Sequence, residues 1–578
     1  MVENKETFTM KEVPIENTRC MTVRVIGAGF SGILSAIRIP EKIRNVDLVV
    51  YEKSDGIGGA WWLNRYPGVA CDIISHSYQY TFAPNPNWSK VYAPGQEIQE
   101  YLQGVAERFG ATRFIKTSHE VKHCAWDSNK KKWILKVAKL PSGEVFDDET
   151  DILVTARGQL HEPLWPDIPG LDTFEGKVMH SAEWDTSLDY RHKKVGVIGI
   201  GSSAIQIIPS LQRLDGVKLS VFMRSKTWIA PSFGNEAMAS MGFQETTTEF
   251  PKETQDLFKK DPKAWLRFRK AVEDSANIHS LMLPDSELHR AVRQGMYNMM
   301  QARLAKRPGL FERLVAEFSP GCRRITPGPG FLEALTEDNV ELIDDRIVRV
   351  TETGVVLASG REMADLDVLV CATGFRTSDA PLFPIVGRDG LTLEQRWKPR
   401  MESYLSVAVD GFPNLLMQFG PSSAIGFGSL VKMLEAECDY VVKVIRKLQR
   451  EDYATIEPRV ERVRDFTQFA NAYFSRTVHK DDCKSQYRSE GGWGKEVVGL
   501  WPGSPQHTVE ALRSPRWEDF IFESADPTGN MLRWFGNGWS LTETEGDPSW
   551  YLNPEEVDFP TEGRPEENPR YKNRPWSY

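Results

Sequence analysis

The sequence predicts an α/β fold built around two Rossmann-like dinucleotide-binding domains with parallel sheets. The first observation is a β-branched run that leads through closely spaced glycines into a helical pattern near residue 27. The second is the same succession of residue types near residue 199. The third is length, because 578 residues exceed what one domain of ordinary size holds. We therefore expect two or three domains.

The first glycine turn follows the apolar run 22–26 and consists of Gly27, Gly29 and Gly32. A strand, a glycine turn and a helix N-terminus together let the backbone approach a pyrophosphate and place its charge on the helix dipole. A second apolar run ends in Glu52, about twenty residues after the last glycine, where a ribose hydroxyl needs an acceptor. A carboxylate there disfavours a 2′-phosphate. The first site is therefore predicted to bind FAD or NAD.

The second glycine turn has the opposite charge preference at its ribose end. After the apolar run 194–198, the turn and the start of its helix contain these candidate cofactor-binding residues: Gly199, Gly201, Ser202 and Ala204. The next apolar run ends in Arg224 and Lys226 and carries no acid. Both cations can pair with a phosphate on the ribose, so the second site is predicted to prefer NADPH. The alternative is a solvated basic loop. Two such sites suggest a flavin that NADPH reduces.

Composition excludes several other classes of function. The net charge of −9 comes from interspersed acids and bases without a basic stripe, so nucleic acid is not an expected partner. The charged N-terminus lacks the apolar region of a signal peptide, and no run of about 18 apolar residues could span a membrane. Seven scattered cysteines without a Cys-x-x-Cys pair argue against a disulfide framework, a metal site or a dithiol centre. These features predict a cytoplasmic protein in a reducing compartment.

Two further motifs point to one family. Residues 174–185 read F-x-G-x-x-x-H-x-x-x-W-D, and residues 58–72 read G-G-x-W-x-x-x-x-Y-P-G-x-x-x-D. With the two glycine turns, they resemble the fingerprints of the class B flavoprotein monooxygenases, and within them the Baeyer-Villiger monooxygenases. The resemblance covers almost the whole chain and is least distinctive over about 233–318. The related N-hydroxylating and flavin-containing monooxygenases usually lack the Trp of the first motif and the whole second motif.

The resemblance implies a reaction and a set of site residues. In this family NADPH reduces FAD, O2 forms a C4a-peroxyflavin, and this attacks a ketone to give an ester or lactone. By position, Arg324 would be the catalytic arginine, Asp72 would lie near the flavin and aim it, and Arg323 would reach the NADPH 2′-phosphate. His180 would position the NADPH domain. Residues expected beside the flavin are Gly59, Trp61, Tyr66, Asp72 and Tyr78.

The same resemblance implies a split architecture. The FAD domain would comprise residues 1–157 and 371–578, with the NADPH domain, residues 158–370, inserted between them and carrying a helical insertion at about 233–318. The aromatic residues Phe258, Trp265 and Phe268 of that insertion are predicted to be core residues. The tail from about Asp547 is predicted to wrap the surface or to be partly disordered.

Three departures from the family pattern bear on the substrate. Arg157 stands in place of a small residue at a strand end, the segment 426–428 in place of a His-Gly pair, and Gln486 in place of a Trp. The last two are predicted to line the ketone pocket. The late segment resembles fungal members that act on bulky ketones, which predicts a specialised-metabolite ketone. The alternatives are a flavin-dependent N- or S-oxygenase and a flavin-binding protein without oxygenase activity.

Overall fold

The computed structural model describes residues 8–244 and 247–557. Its strands, in chain order, are β1 (Met21–Ile26), β2 (Val46–Tyr51), β3 (Ile115–Lys116), β4 (His119–Asp127), β5 (Lys132–Lys139), β6 (Val145–Thr150), β7 (Ile152–Thr155), β8 (Lys177–His180), β9 (Lys194–Ile198), β10 (Lys218–Phe222), β11 (Ile229–Ala230), β12 (Thr326–Pro327), β13 (Val340–Ile343), β14 (Ile347–Thr351), β15 (Gly354–Leu357), β16 (Glu362–Met363), β17 (Val368–Cys371), β18 (Ile385–Val386), β19 (Leu415–Met417), β20 (Tyr453–Pro458) and β21 (Phe520–Ser524).

Its α-helices are α1 (Phe30–Lys42), α2 (Ala60–Leu63), α3 (Gly95–Arg108), α4 (Ser202–Gln212), α5 (Asn235–Ser240), α6 (Lys252–Lys260), α7 (Pro262–Ala276), α8 (Glu287–Leu304), α9 (Leu310–Leu314), α10 (Phe331–Thr336), α11 (Leu393–Trp397), α12 (Leu430–Arg450), α13 (Val460–Phe474), α14 (Pro505–Arg513) and α15 (Leu541–Glu545). Within the described ranges, no helix combines the length and the apolar composition that crossing a membrane requires.

Two parallel five-stranded sheets form the framework. The first has the order β19-β7-β1-β2-β3 and the second β13-β10-β9-β17-β8. Their central strands are almost wholly buried apolar runs, as expected for parallel strands covered on both faces. β1, β2, β3 and β7 in the first sheet occupy the places of β9, β10, β13 and β17 in the second. The predicted α/β fold with two dinucleotide-binding domains is confirmed.

The first sheet draws on two distant parts of the chain. β19 pairs with β7 in parallel, although the whole second sheet lies between them in sequence. A split first domain with the second inserted requires this arrangement, and the domain boundaries themselves stay predictions. A third, mixed sheet has the order β18-β4-β5-β6. It belongs to the part of the chain built on the first five-stranded sheet, which we call the first half. The part built on the second five-stranded sheet is the second half.

The predicted helical insertion contains α5 to α9. Its predicted core aromatic residues belong to a hydrophobic cluster. Phe258 and Phe268 are buried, and the partly buried Trp265 packs against the same cluster. In the predicted C-terminal tail, Trp550–Leu552 form an exposed short 3-10 helix. Residues 558–578 of that tail lie outside the described residues, as do the first seven residues, on which the signal-peptide expectation partly rests.

One expectation from the cysteines is wrong. Cys322 and Cys483 form a disulfide across 161 residues of sequence, while the other five cysteines are free. The spacing of cysteines along the chain could not indicate this bond, because the two residues come together only through folding of the second sheet against the C-terminal part. The bond joins the loop before β12 to a loop that follows α13.

Candidate functional site: two nucleotide cradles and an arginine-carboxylate pair

The first glycine turn connects β1 to α1 and leaves no room for side chains. Gly27 has a φ of +104°, and a Cβ there would lie 2.6 Å from the carbonyl oxygen of Ala156, so only glycine fits. A Cβ on Gly32 would lie 1.8 Å from the carbonyl oxygen of Gly27. Gly29 is the N-cap residue of α1 and has no side chain, so no side-chain group caps the start of this helix. The first amides of α1 are thus available to an anion such as a pyrophosphate.

Glu52 is buried at the end of β2 with its carboxylate held by two backbone amides. Its Oε2 accepts from the amide of Ala28 and its Oε1 from the amide of Ser54, both at 2.8 Å. Each oxygen keeps a further lone pair for a ribose hydroxyl. Across the turn, a Cβ on Gly59 would lie 2.9 Å from the Cα of Gly29, so the two glycine segments approach closely. The site fits a dinucleotide without a 2′-phosphate.

Trp61 and Tyr78 contact each other in the aromatic loops that follow. The Trp61 Nε1 donates to the Tyr78 hydroxyl at 3.1 Å, with ring centroids 5.5 Å apart. Burial raises the pKa of Tyr78, so its hydroxyl stays protonated. The position of Tyr66 beside the flavin stays a prediction. Its ring belongs to the core of the second half, and its hydroxyl donates to Gln206 at 2.9 Å.

The second glycine turn connects β9 to α4. A Cβ on Gly199 would lie 2.5 Å from the carbonyl oxygen of Ala372, whereas beside Gly201 the space is open to 4 Å. Gly201 makes no side-chain cap, so the first amides of α4 are also available. The Ser202 hydroxyl is hydrogen-bonded to Thr326 at 2.7 Å, and Ala204 is buried against the sheet.

Beyond this turn, Arg323 lies against the segment 224–226, which carries the predicted cations Arg224 and Lys226. Arg323 donates from Nη2 to the Ser225 hydroxyl at 2.9 Å and from Nη1 to the Lys226 carbonyl at 3.3 Å. Its Nε is buried without a partner. Burial, and after it the nearby Arg224, lowers the pKa of Arg323. Repelling cations with an unpartnered donor fit an anionic group such as the 2′-phosphate of NADPH.

Arg324 and Asp72 form a two-point ion pair, although 252 residues separate them in sequence. Arg324 Nε and Nη2 donate to the two carboxylate oxygens at 2.9 and 2.7 Å. Its Nη1 lies 3.4 Å from the carbonyl oxygen of Gly426. Burial by itself acts to lower the pKa of Arg324, but Asp72 more than offsets this and the pKa is raised. The guanidinium is therefore held as a cation in a fixed plane.

A cavity opens beside Arg324. It lies between the helical insertion and the loops of the first half, and its lining comprises Ile73, Ile74, Ser77, Phe233, Gly234, Val272, Ser275, Ala276, Ile278, Arg324, Gly426, Phe427 and Gly428. The segment 426–428 therefore lines a cavity, and its predicted place in the ketone pocket stays a prediction. Gln486 is not among the residues that line this cavity. It is exposed, and its backbone carbonyl accepts from the Thr377 hydroxyl at 2.9 Å.

Two other predicted positions lie away from this cavity. His180 ends β8, where burial lowers its pKa to about 4, so the ring is neutral. It packs between Trp165 and Phe375, and its positioning role stays a prediction. Arg157 is partly buried, and its Nη1 lies 3.5 Å from a carboxylate oxygen of Glu162. It follows β7 without disturbing the pairing of that strand with β1.

Sequence reasoning missed two residues of the site, Lys484 and Tyr487, which lie near the arginines. Lys484 follows Cys483, and its pKa is lowered first by burial and then by Arg224 and Arg323. Burial raises the pKa of Tyr487, and the nearby Arg324 acts in the opposite direction. The only available signal was the Cys-Lys-Ser-x-Tyr pattern at residues 483–487. This pattern does not indicate which other loops pack against it in the folded protein.

Two dinucleotide-binding turns, a group of cations and a cavity together indicate a flavoenzyme that uses a second dinucleotide. The family model for flavin-binding monooxygenase-like proteins (FMO-like) matches residues 20–250. An FAD-binding monooxygenase, tazF, from Aspergillus terreus is 37% identical over 92% of this chain and 94% of its own length. A Baeyer-Villiger monooxygenase from Streptomyces coelicolor is 34% identical over 86% of this chain and 91% of its own length.

The solved structures agree with these relatives. Cyclohexanone monooxygenase from Rhodococcus sp. Phi1, bound to NADP+, superposes with a TM-score of 0.74 at 27% identity, covering 89% of this chain and 100% of that one. The chain belongs to the Baeyer-Villiger monooxygenase family of the class B flavoprotein monooxygenases. It is an FAD-dependent monooxygenase that consumes NADPH and acts on a small molecule and O2.

Proposed function

We propose that this chain catalyses Baeyer-Villiger oxidation, the insertion of one oxygen atom of O2 beside a ketone carbonyl to give an ester or lactone. The observation that carries the proposal is the guanidinium of Arg324, fixed by Asp72 through two hydrogen bonds at the edge of an apolar cavity. A fixed cation beside an apolar substrate site stabilises negative charge that develops on oxygen, which is the need of this reaction.

FAD, held at Gly27, Gly29 and Glu52, and NADPH, held at Gly199, Gly201 and Arg323, would supply the redox chemistry and the activation of O2. The chain itself has three tasks. Arg324 stabilises developing oxyanions without giving up a proton, because its pKa is raised above its already high ordinary value. Asp72 holds the guanidinium plane. The apolar walls from Ile73, Phe233, Val272 and Phe427 exclude water and hold the ketone.

We infer the substrate class from the relatives and from the lining of the site, not from its volume. The cavity beside Arg324 is lined mostly by apolar groups. A second cavity shares Ala276, Ile278, Gly426 and Phe427 with it. The fungal FAD-binding monooxygenase that resembles this chain over 92% of its length favours a specialised-metabolite ketone, and the adjoining apolar linings suit a polycyclic one.

The test measures oxygenated product formed per NADPH consumed, with panels of small and polycyclic ketones, sulfides and amines. We expect ester or lactone from ketones, with polycyclic ketones preferred. Arg324→Lys should lower product formation about a hundredfold or more, because a lysine cannot make the two-point contact. NADPH should still be consumed, with hydrogen peroxide replacing product.

The matched control is Arg361→Lys, which alters an exposed two-point pair with Glu341 at 2.7 and 3.1 Å. It should leave product formation unchanged. Oxygenation of sulfides or amines without any ketone oxidation would favour the N- or S-oxygenase alternative. Hydrogen peroxide as the sole product with every substrate would favour a flavoprotein without oxygenase activity.

A further inference from the structure

The exposed ring of Trp493 carries two cations that approach from different parts of the chain. The guanidinium carbon of Arg224 lies 5.1 Å from the ring centroid, and so does the ammonium nitrogen of Lys484. Arg323, which contacts the segment 225–226, completes the group. We call Arg224, Arg323 and Lys484 the cation cluster. It joins the predicted NADPH side of the molecule to the C-terminal part.

The cation cluster lacks neutralising carboxylates. Among residues 8–244 and 247–557, no ion pair with an acid is found for Arg224, Arg323 or Lys484. The pKa of Lys484 is lowered to about 8, first by burial and then by the two arginines. Three cations gathered without acids repel one another. An anion with more than one negative charge, bound among them, relieves this repulsion.

The Cys322–Cys483 disulfide accounts for the position of Lys484. Cys322 directly precedes Arg323, and Cys483 directly precedes Lys484. The bond therefore fixes the backbone from which both side chains extend. Further contacts join the same loops, among them the amide of Ser319, which donates to Asp481 at 2.7 Å, and Nη2 of Arg488, which lies 3.9 Å from the Cys322 sulfur.

We propose that Lys484 is a third cation for the NADPH 2′-phosphate and that the Cys322–Cys483 disulfide positions it there beside Arg323. The proposal depends on the NADPH dependence of the family and is independent of the ketone. A 2′-phosphate carries up to two negative charges, which three cations can neutralise. NADH carries no such group, so the cluster distinguishes the two nucleotides.

The test of Lys484 measures binding alone, by calorimetric titration of the holoenzyme with adenosine 2′,5′-bisphosphate and with 5′-AMP. Lys484→Gln should weaken the bisphosphate about tenfold or more and leave 5′-AMP within about twofold, because only the 2′-phosphate loses a charge-assisted contact. Lys484→Arg should retain most of the affinity. The control is Lys480→Gln, an exposed lysine of the same segment, which should change neither. Equal effects of Lys484→Gln and Lys480→Gln would overturn the assignment.

The test of the disulfide uses the same titrations. Thiol titration of the denatured protein should give five thiols before reduction and seven after; seven before reduction would overturn the bond's role. Cys483→Ser, or opening of the bond by dithiothreitol, which is itself oxidised to a cyclic disulfide as two thiols form, should weaken bisphosphate binding severalfold. Cys20→Ser, which removes an exposed free thiol, is the control. Wild-type affinity in Cys483→Ser would overturn the positioning.

These outcomes are separate from those of the proposed function. Loss of bisphosphate affinity in Lys484→Gln supports the inference even if no ketone is oxidised by the wild-type enzyme. Conversely, ketone oxidation by the wild-type enzyme with unchanged nucleotide binding in Lys484→Gln would leave the proposed function standing and refute the inference.

Discussion

Arg324 and Asp72 have two competing explanations at the scale of single residues. Their geometry suits a guanidinium aimed at substrate, but a partly buried ion pair can also serve only stability. Each side chain keeps about a quarter of its surface exposed, 24% for Arg324 and 25% for Asp72. Arg324 also lines the cavity, which a purely structural pair would not need. The two explanations differ in what removal of the carboxylate should change.

Asp72→Asn separates them. It removes the counter-charge while keeping the size of the side chain, so we expect a loss of about 1–3 kcal/mol in the free energy of unfolding. If Asp72 aims Arg324, oxygenated product per NADPH should also fall about tenfold or more, measured on folded enzyme, with hydrogen peroxide rising. Glu341→Gln breaks the exposed pair with Arg361 and should cost less than about 1 kcal/mol without changing product yield. Normal yield in Asp72→Asn would assign the pair to stability alone.

The sequence was most informative at the scale of single elements. Both glycine turns, the acid that ends β2 and the cations that follow β10 are local signals, because each depends on contacts between neighbours in the chain. The fold class and the two nucleotide cofactors could therefore be predicted. The aromatic residues of α6 and α7 were also correctly predicted as core. What they pack around could not be read from their spacing.

The aromatic residues of the helical insertion surround His76, and His76 thereby connects the loop before α3 to that insertion. Its ring centroid lies 4.9 to 5.3 Å from those of Phe250, Phe258 and Phe268, and its Nδ1 accepts from the Nε1 of Trp265 at 3.2 Å. Burial, and after it Arg269, lowers the pKa of His76 to about 3. The imidazole is thus neutral in the folded protein and would be costly to protonate there.

This pKa predicts a pH dependence of stability. Below about pH 6.5, the unfolded chain binds a proton at His76 and the folded chain does not, so the free energy of unfolding falls as pH falls, by about 1.4 kcal/mol per unit. Between pH 7.5 and 5 the contribution is about 2 kcal/mol. Urea unfolding of His76→Phe at both pH values should show a smaller loss than wild type by that amount. His192→Gln, at an exposed histidine, should match wild type. Equal losses in wild type and His76→Phe would contradict the assignment.

At the scale of the whole molecule, the important contacts join loops that are distant in sequence. Arg324 with Asp72, Cys322 with Cys483, and Lys484 with Arg224 all cross between the second half and the rest of the chain. The first pair could be expected only from the family resemblance, and the other two were not expected at all. Spacing along a chain specifies strands and turns, but it does not specify which loops meet once two sheets pack together.

The loop 66–70 is the best place to test how the two halves are coupled, because it rests on α4, the helix that starts at the second glycine turn. Gln206 of α4 accepts from the hydroxyl of Tyr66 at 2.9 Å and donates to the carbonyl of Ala70 at 3.0 Å. Gly68 has a φ of +83°, and a Cβ there would lie 2.6 Å from the carbonyl oxygen of Gln206. The backbone of this loop therefore fits against α4 only with glycine at that position.

Gly68→Ala should push the loop and α4 apart, and so displace one nucleotide cradle relative to the other. We expect flavin reduction at saturating NADPH, measured without oxygen, to slow about tenfold or more, since hydride transfer depends steeply on the distance between the reacting atoms. NADPH affinity should change little, because the cation cluster is untouched. Gly143→Ala is the matched control: Gly143 has a similar φ of +75° with nothing within 4 Å of a Cβ, so it carries the same backbone cost of about 1 kcal/mol without the collision. Equal reduction rates in the two variants would mean that the contact between this loop and α4 does not set the distance for hydride transfer.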